Sequence, residues 1–137
     1  MSAARRPLVV LIALVVVCVV VLFVVFASGR PSTQGGLTAQ QSLGASLFRT
    51  RCSSCHATTT EMKIGPGLAG LFDSGGPTLP DGVDYDGKLP NGEEINAENV
   101  ATFIRVGGKG QIGNMPGFAL TDQEIDALVA YLQTLHK

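Results

Sequence analysis

Residues 51–68 read RCSSCHATTTEMKIGPGL, and the five residues CSSCH near their start carry a compact set of reactive side chains. Cys52 and Cys55 are separated by two residues, and His56 follows the second cysteine directly. Such a group could be half of a zinc site, a redox-active dithiol, a structural disulfide or a site of covalent haem attachment. The rest of the chain distinguishes these alternatives.

Three of the four alternatives fit poorly. Structural zinc needs four ligands, and the remaining thiol or imidazole candidates are Cys18, within a long apolar run, and His136 near the C-terminus. A thioredoxin-like dithiol needs a βαβ context, whereas the chain has few strand-like segments. A disulfide would leave the adjacent histidine unexplained. Haem attachment is favoured, because two thiols add to the two vinyl groups of the porphyrin while the next residue offers imidazole to the iron.

A haem iron held by one histidine can take a second axial ligand, and the candidates are Met62, Met115 and His136. Met115 is favoured because it lies in GNMPGF, residues 113–118, where two glycines and a proline predict a rigid loop. Met62 shares a loop with the cysteines and would have to double back around the macrocycle. His136 is expected to interact with a helix end. The predicted iron ligands are therefore His56 and Met115.

The N-terminal part of the chain contains an apolar run, residues 8–26, without a charged or polar side chain. As a helix it would be roughly 28 Å long, which is close to the hydrocarbon thickness of a bilayer. A cleaved signal peptide is the alternative, although its apolar core is usually shorter, at about 7 to 15 residues. We expect a retained single-pass anchor. Arg5 and Arg6 precede the run and predict that residues 1–7 are cytoplasmic.

The segment after the predicted anchor divides into two parts. Residues 27–37 are rich in Gly, Ser and Pro and predict a flexible linker. Residues 38–137 would then form a domain on the periplasmic, or extracytoplasmic, side of the cell inner membrane. The chain has no Trp but 17 Gly and 7 Pro, so the apolar core of this domain should be thin. A bound haem would supply part of it.

Three amphipathic helices are predicted in the domain, which makes it all-α. Thr38 can cap the first, Asn96 can cap the second, and Thr121 with Glu124 can form a capping box for the third. The third helix is predicted to run to the C-terminus. Apolar residues recur on one face of each helix. They are Leu43, Leu47 and Phe48 in the first helix, Val100, Phe103 and Ile104 in the second, and Ile125, Leu128, Val129, Leu132 and Leu135 in the third.

The charge distribution argues against nucleic acid as a partner. The formal net charge is −1, and seven of the eleven acidic residues lie within residues 73–98. Such a segment favours a partner with a basic face, or simply keeps a loop solvated. The same segment contains LPDG at residues 79–82 and LPNG at residues 89–92, which predict two tight turns.

Together these motifs resemble a class I c-type cytochrome over most of residues 37–137. Besides CSSCH, IGPGLAG at residues 64–70 is similar to the family's Gly-Pro-x-Leu segment. GNMPGF is similar to its distal methionine loop, and LVAYL at residues 128–132 resembles its C-terminal helix. The four elements occur in the family's order.

The resemblance implies a class I fold, with three main helices around one covalently attached haem c. It implies that Gly44 packs against the aromatic residue of the C-terminal helix and that Pro66 flanks the proximal imidazole of His56. The implied cofactor-binding residues are Cys52, Cys55, His56, Pro66 and Met115.

The implied function is electron transfer rather than enzymatic catalysis. The turn-rich segment at residues 79–107 looks like those of cytochrome c domains attached to bacterial terminal oxidases. The expected partners are membrane electron-transport complexes or redox proteins. The expected protein passes single electrons in a respiratory or photosynthetic chain, as a free carrier or as a complex subunit. A five-coordinate haem enzyme or gas sensor, and a subunit with a purely structural haem, are the alternatives.

Overall fold

The computed structural model describes residues 14–21 and 36–137, in two compact units that divide the chain after residue 34. In the first unit, residues 14–21 are helical. Among the described residues, no helix combines the length and the apolar character needed to cross a membrane. The predicted cytoplasmic segment 1–7 lies outside the described residues, as do most of the predicted anchor and most of the linker.

From residue 36 onward the regular secondary structure of the second unit is mostly helical, as predicted. A short π-helical segment, Phe48–Cys52, continues the first helix. A two-stranded antiparallel sheet, which the sequence did not predict, follows the second helix. The elements are α1 (Ala39–Leu47), α2 (Ala97–Val106), β1 (Gly107–Lys109), β2 (Asn114–Pro116) and α3 (Asp122–Leu132).

Helices α1 and α3 both begin at a capping box. The Thr38 hydroxyl accepts a hydrogen bond from the Gln41 N–H at 3.1 Å, and the Gln41 side chain accepts one from the Thr38 N–H at 2.8 Å. Thr121 and Glu124 form the same reciprocal pair, at 3.3 and 2.9 Å. The two boxes satisfy backbone donors that would otherwise lack a partner in the first turn. The predicted starts of both helices are confirmed.

Helix α2 begins at Asn96, as predicted, where the side-chain oxygen accepts the N–H of Asn99 at 2.9 Å. It ends at Gly107, whose φ of +72° belongs to the left-handed region that a glycine adopts without strain. Because strand β1 starts at this same glycine, the helix end directly sets the start of the small sheet.

Helices α1 and α3 pack closely at Gly44, which is buried. A Cβ atom at this position would lie only 2.7 Å from the Cβ of Tyr131 and closer still to the carbonyl of Ala127. One turn further along, the ring centroids of Phe48 and Tyr131 are 5.9 Å apart in a tilted arrangement. The contact between Gly44 and the aromatic residue of α3, implied by the resemblance, is therefore present.

Most of the predicted apolar faces form one core. Leu43 is an exception, with 39% of its surface exposed, because Gly44 is the residue of α1 that faces α3 and its neighbour is rotated about 100° around the helix axis. The buried cluster contains Phe48, Leu71, Leu89, Val100, Phe103, Ile104, Ile125, Leu128, Val129 and Leu132.

The third helix ends at Leu132. The prediction that it runs to the C-terminus is therefore wrong. The chain then turns towards the loop around residue 70, where the N–H of Gly70 donates to the carbonyl of Leu135 at 2.6 Å. His136 Nδ1 lies 2.9 Å from Asp73 Oδ1, and the N–H of Lys137 donates to the other carboxylate oxygen at 3.2 Å. The imidazole of His136 thus pairs with a carboxylate, and the prediction that it interacts with a helix end is corrected.

Candidate cofactor-binding site

A cavity of about 270 Å³ opens in the second unit, and all five residues predicted to bind the cofactor line it. Cys52 comes from the π-helical segment, Cys55 and His56 from the turn after it, Pro66 from the following loop and Met115 from strand β2. Apolar side chains also line the cavity, including Leu68, Leu71, Leu89, Phe103, Ile104 and Leu132.

The cysteine pair lies where helix α1 widens and then turns. The N–H of Ser53 donates to the carbonyl of Phe48 at 2.9 Å, five residues earlier, which is the π-helical pattern. The N–H groups of Cys55 and His56 both donate to the carbonyl of Cys52, at 3.0 and 2.9 Å. This tight turn brings both thiols and the imidazole to the wall of one cavity. The π-helical segment was not predicted, since its residues also suit an ordinary α-helix.

The two thiols are free and not joined as a disulfide. Burial, together with the neighbouring Cys55, raises the pKa of the Cys52 thiol to about 11. A redox-active dithiol needs a cysteine whose pKa lies below its ordinary value, so that the thiolate forms at neutral pH. The environment of Cys52 has the opposite effect on the pKa, which disfavours thioredoxin-like chemistry.

The proximal histidine is fixed by the segment at residues 64–70. His56 Nδ1 lies 2.8 Å from the carbonyl oxygen of Pro66, and because a carbonyl only accepts, Nδ1 carries the hydrogen and donates. The lone pair is then on Nε2, the nitrogen left available to a metal. Gly65 lies against the ring, since a Cβ atom there would be 2.5 Å from His56 Cε1. A larger residue would push the imidazole aside.

The loop behind the imidazole, residues 63–70, is held by backbone hydrogen bonds to the turn that carries Cys52, Cys55 and His56, which we call the attachment turn. The N–H of Gly65 donates to the carbonyl of Cys55 at 2.8 Å, and the N–H of Leu68 donates to that of Ala57 at 2.9 Å. Lys63 adds a side-chain link between the same two segments, because its ammonium donates a hydrogen bond to the carbonyl of Ser53 at 2.8 Å. The histidine is therefore positioned by a rigid local network.

Of the three candidates for a second axial ligand, Met115 alone lines the cavity. Met115 is partly buried and pairs with Gly108 across the hairpin of β1 and β2. Met62 is 39% exposed, and His136 is hydrogen-bonded to Asp73.

The β1–β2 hairpin that carries Met115 was not predicted, although the glycine-rich run GGKGQIG before Met115 was a signal for tight backbone packing there.

The acidic segment also contributes to the cavity, which its charge did not predict. Leu79, Tyr85, Leu89 and Ile95 all line it. The segment before α2 thus forms a wall of the site and is not merely a solvated loop.

Turns shape this wall. The N–H of Val83 donates to the carbonyl of Pro80 at 3.1 Å, and the N–H of Gly92 to that of Leu89 at 2.8 Å, which confirms the two predicted turns. A third turn was missed at Asp86, whose φ of +54° is followed by a positive φ at the next glycine. Two positive φ values in succession are typical of a type I′ turn, for which Asp-Gly is a favoured sequence.

The arrangement fits haem c better than an isolated metal ion. Within residues 14–21 and 36–137, no group of three or more His, Cys, Asp or Glu side chains is placed to hold a metal. The cavity instead offers two free thiols, one imidazole with its ligand nitrogen available, one thioether and an apolar wall. These are the groups that covalent haem attachment and axial ligation require.

Comparison with known proteins agrees with this chemistry. The family model described as Cytochrome c matches residues 41–136, which is more than two thirds of the chain and includes all five site residues. Proteins of that family bind haem c covalently through a pair of cysteines, and Cys52 and Cys55 are present here in a CxxCH motif. No curated protein matches the chain.

Proposed function

The chain belongs to the cytochrome c family, and from this premise we propose that it is a monohaem electron carrier anchored to a membrane by its N-terminal segment. Proteins of the family generally carry electrons and are not enzymes. The observation that carries the proposal is that Cys52, Cys55, His56 and Met115 line one apolar cavity.

Each of these residues has a distinct task in the proposal. Haem c supplies, when bound, an iron that takes up and releases one electron. Cys52 and Cys55 would hold the group covalently, each by adding its S–H across one vinyl double bond. His56 would be the proximal ligand through Nε2, oriented by the carbonyl of Pro66. Met115 would be the distal ligand, and a thioether in that position raises the reduction potential.

With His56 and Met115 both bound to it, the iron would have no coordination position left for a substrate. Both His56 and Met115 come from segments held by backbone hydrogen bonds, the first at residues 55–68 and the second in the hairpin. This favours transfer of an electron through the cofactor edge over binding of a peroxide or gas, and so favours the carrier over the five-coordinate alternative.

The proposed location rests on the N-terminal sequence. The apolar run at residues 8–26 is long enough for a membrane anchor, and Arg5 and Arg6 favour a cytoplasmic N-terminus. The domain would then face the periplasm and exchange electrons with respiratory or photosynthetic membrane complexes. A tether of this kind raises the effective concentration of the carrier near such partners, so that weak binding is sufficient.

The test is purification of the full chain in mild detergent from membranes of a host that matures c-type cytochromes. A denaturing gel stained for haem peroxidase activity should show a band at the mass of the uncleaved chain. Cys52→Ser together with Cys55→Ser should abolish the stain, whereas Cys18→Ser should leave it unchanged. A wild-type band without haem stain would refute the proposed function, and recovery in the soluble fraction at a shorter mass would refute the anchor.

A further inference from the structure

One tyrosine of the acidic segment contacts the turn that leads to Met115. The hydroxyl oxygen of Tyr85 accepts the N–H of Gln111 at 2.7 Å and the N–H of Ile112 at 3.4 Å. Both donors lie in the connection between β1 and β2, three and four residues before the methionine. The phenol thus joins two segments that are 26 residues apart in the sequence.

Further contacts place the same turn against the same segment. The side-chain amide of Gln111 donates to the carbonyl of Asp84. Gly110 packs so closely that a Cβ atom there would lie 2.9 Å from the Cβ of Pro90 and 3.2 Å from the Cζ of Tyr85. The hairpin turn is therefore held against the acidic segment by its backbone N–H groups and by the side chain of Gln111.

The hairpin needs such support because it is short. Each strand has three residues, and a two-stranded hairpin is at best marginally stable in water. Its glycines add to the backbone entropy that ordering must overcome. After Met115 the chain is fixed by the N–H of Phe118, which donates to the carbonyl of Ile104 at 3.0 Å. Before Met115, the corresponding attachment consists of the contacts to Tyr85, together with those to Asp84 and Pro90.

We propose that Tyr85 is a positioning residue for the axial methionine. Its hydroxyl holds the turn at residues 110–113 and so keeps the Met115 thioether at the cavity, where it competes with other ligands for the iron. The inference rests on the proposed function, since it takes Met115 as the distal ligand. It also gives the acidic segment a role in tuning that ligand.

Tyr85→Phe in the full-length holoprotein tests the proposal, because it removes the acceptor oxygen and retains the ring. The measurement is the association constant of added imidazole for the ferric protein, followed by loss of the charge-transfer band of thioether-bound ferric haem. Loss of hydrogen bonds that favour the methionine-bound state should raise this constant about 3- to 10-fold. Met115→Ala sets the upper limit of the increase.

Tyr131→Phe is the matched control, because Tyr131 is the other tyrosine of the chain, packs from α3 against α1 and does not line the cavity. Its imidazole constant should stay within about twofold of the wild type. Equal increases in both variants, or no increase in Tyr85→Phe, would overturn the proposal. If Tyr85→Phe fails to accumulate as holoprotein, Gln111→Pro removes the backbone N–H that the Tyr85 oxygen accepts at 2.7 Å, and an unchanged imidazole constant in that variant would equally overturn the proposal.

Failure of the underlying function would look different. A wild-type protein without the thioether charge-transfer band, together with a Met115→Ala variant that binds imidazole no more tightly than wild type, would show that Met115 is not a ligand. That outcome overturns both proposals. A wild type with the band and a Tyr85→Phe variant with unchanged imidazole binding overturns the positioning role alone.

Discussion

At His56 a single hydrogen bond decides which ring nitrogen can bind a metal. The carbonyl of Pro66 accepts from Nδ1, so the lone pair is on Nε2 before any cofactor is considered. A proline suits this task because its carbonyl is retained while its ring restricts the backbone. Gly65 leaves just enough space for the imidazole to lie against the chain. The tautomer is thus imposed by the protein.

Met115 and Met62 offer a direct comparison at the residue scale. Met115→Ala should open one coordination position, so that the ferrous protein binds carbon monoxide at neutral pH and the reduction potential falls. Absorption spectra with carbon monoxide and a potentiometric titration measure the two effects. Met62→Ala should change neither, because Met62 does not line the cavity. If the two variants behave alike, Met115 is not the distal ligand.

At the scale of single elements, the capping box of α3 can be tested separately from the site. Thr121→Ala should reduce the free energy of unfolding by about 1 kcal/mol, because the N–H of Glu124 loses its acceptor. Chemical denaturation of the holoprotein measures the change. The exposed Thr60 provides the control, and Thr60→Ala should have an effect below about 0.5 kcal/mol. Equal effects would mean that the cap is not stabilising.

The crossing of α1 and α3 depends on a missing side chain. Gly44→Ala places a methyl group against the carbonyl of Ala127 and the Cβ of Tyr131, so the two helices must separate. Overpacking of this kind should cost about 1–3 kcal/mol of unfolding free energy, despite the higher helix propensity of alanine. Ser42→Ala, at an exposed position of the same helix, is the control. A stabilised Gly44→Ala variant would contradict the observed packing.

The elements differ in how well the sequence predicts them. The helix starts at Thr38, Asn96 and Thr121 were predictable because capping depends on local side-chain chemistry. The early end of α3 was not, because the residues after it bond to Asp73 and Gly70, more than 60 residues before them in the chain. The β1–β2 hairpin was missed for a similar reason, since its strands are short and its turn depends on Tyr85.

The candidate site was more predictable than the fold around it. Cys52, Cys55 and His56 have a spacing that local chemistry alone explains, and Met115 stood out through its glycine- and proline-rich surroundings. The role of Tyr85 and the cavity wall formed by the acidic segment could not be predicted. Both arise from contacts between distant segments, for which the sequence has no local pattern.

At the scale of the whole domain, Asp73 links His136 and Lys137 to the loop that follows residues 64–70, the segment behind His56. The hydrogen bond from His136, and then that from the Lys137 N–H, lower the pKa of Asp73 below its ordinary value of 3.8. A carboxyl whose pKa is lower in the folded state stabilises the fold above its ordinary pKa, and this contribution is lost as the pH falls. The contribution is therefore fully present at neutral pH.

Asp73→Asn should reduce the unfolding free energy near pH 7, and the difference from wild type should shrink as the pH falls below about 4. Denaturation of both proteins across this range measures the effect. His136→Ala should reproduce most of the difference, since His136 is the main cause of the lowered pKa of Asp73. A difference that does not change with pH would show that this carboxylate is not the source.

The packing of Gly44 against Tyr131 also has a consequence for biogenesis. The attachment turn follows directly from α1, and α1 is held by α3, which comes more than 60 residues after that turn in the chain. Cys52 and Cys55 are therefore made well before the partner that fixes their position exists. During that interval an oxidant that takes up two electrons and two protons could join the two thiols in a disulfide, and that bond would have to be reduced before the thiols could attach haem. We therefore expect the timing of thiol reduction, relative to synthesis of α3, to affect how much of the chain acquires haem.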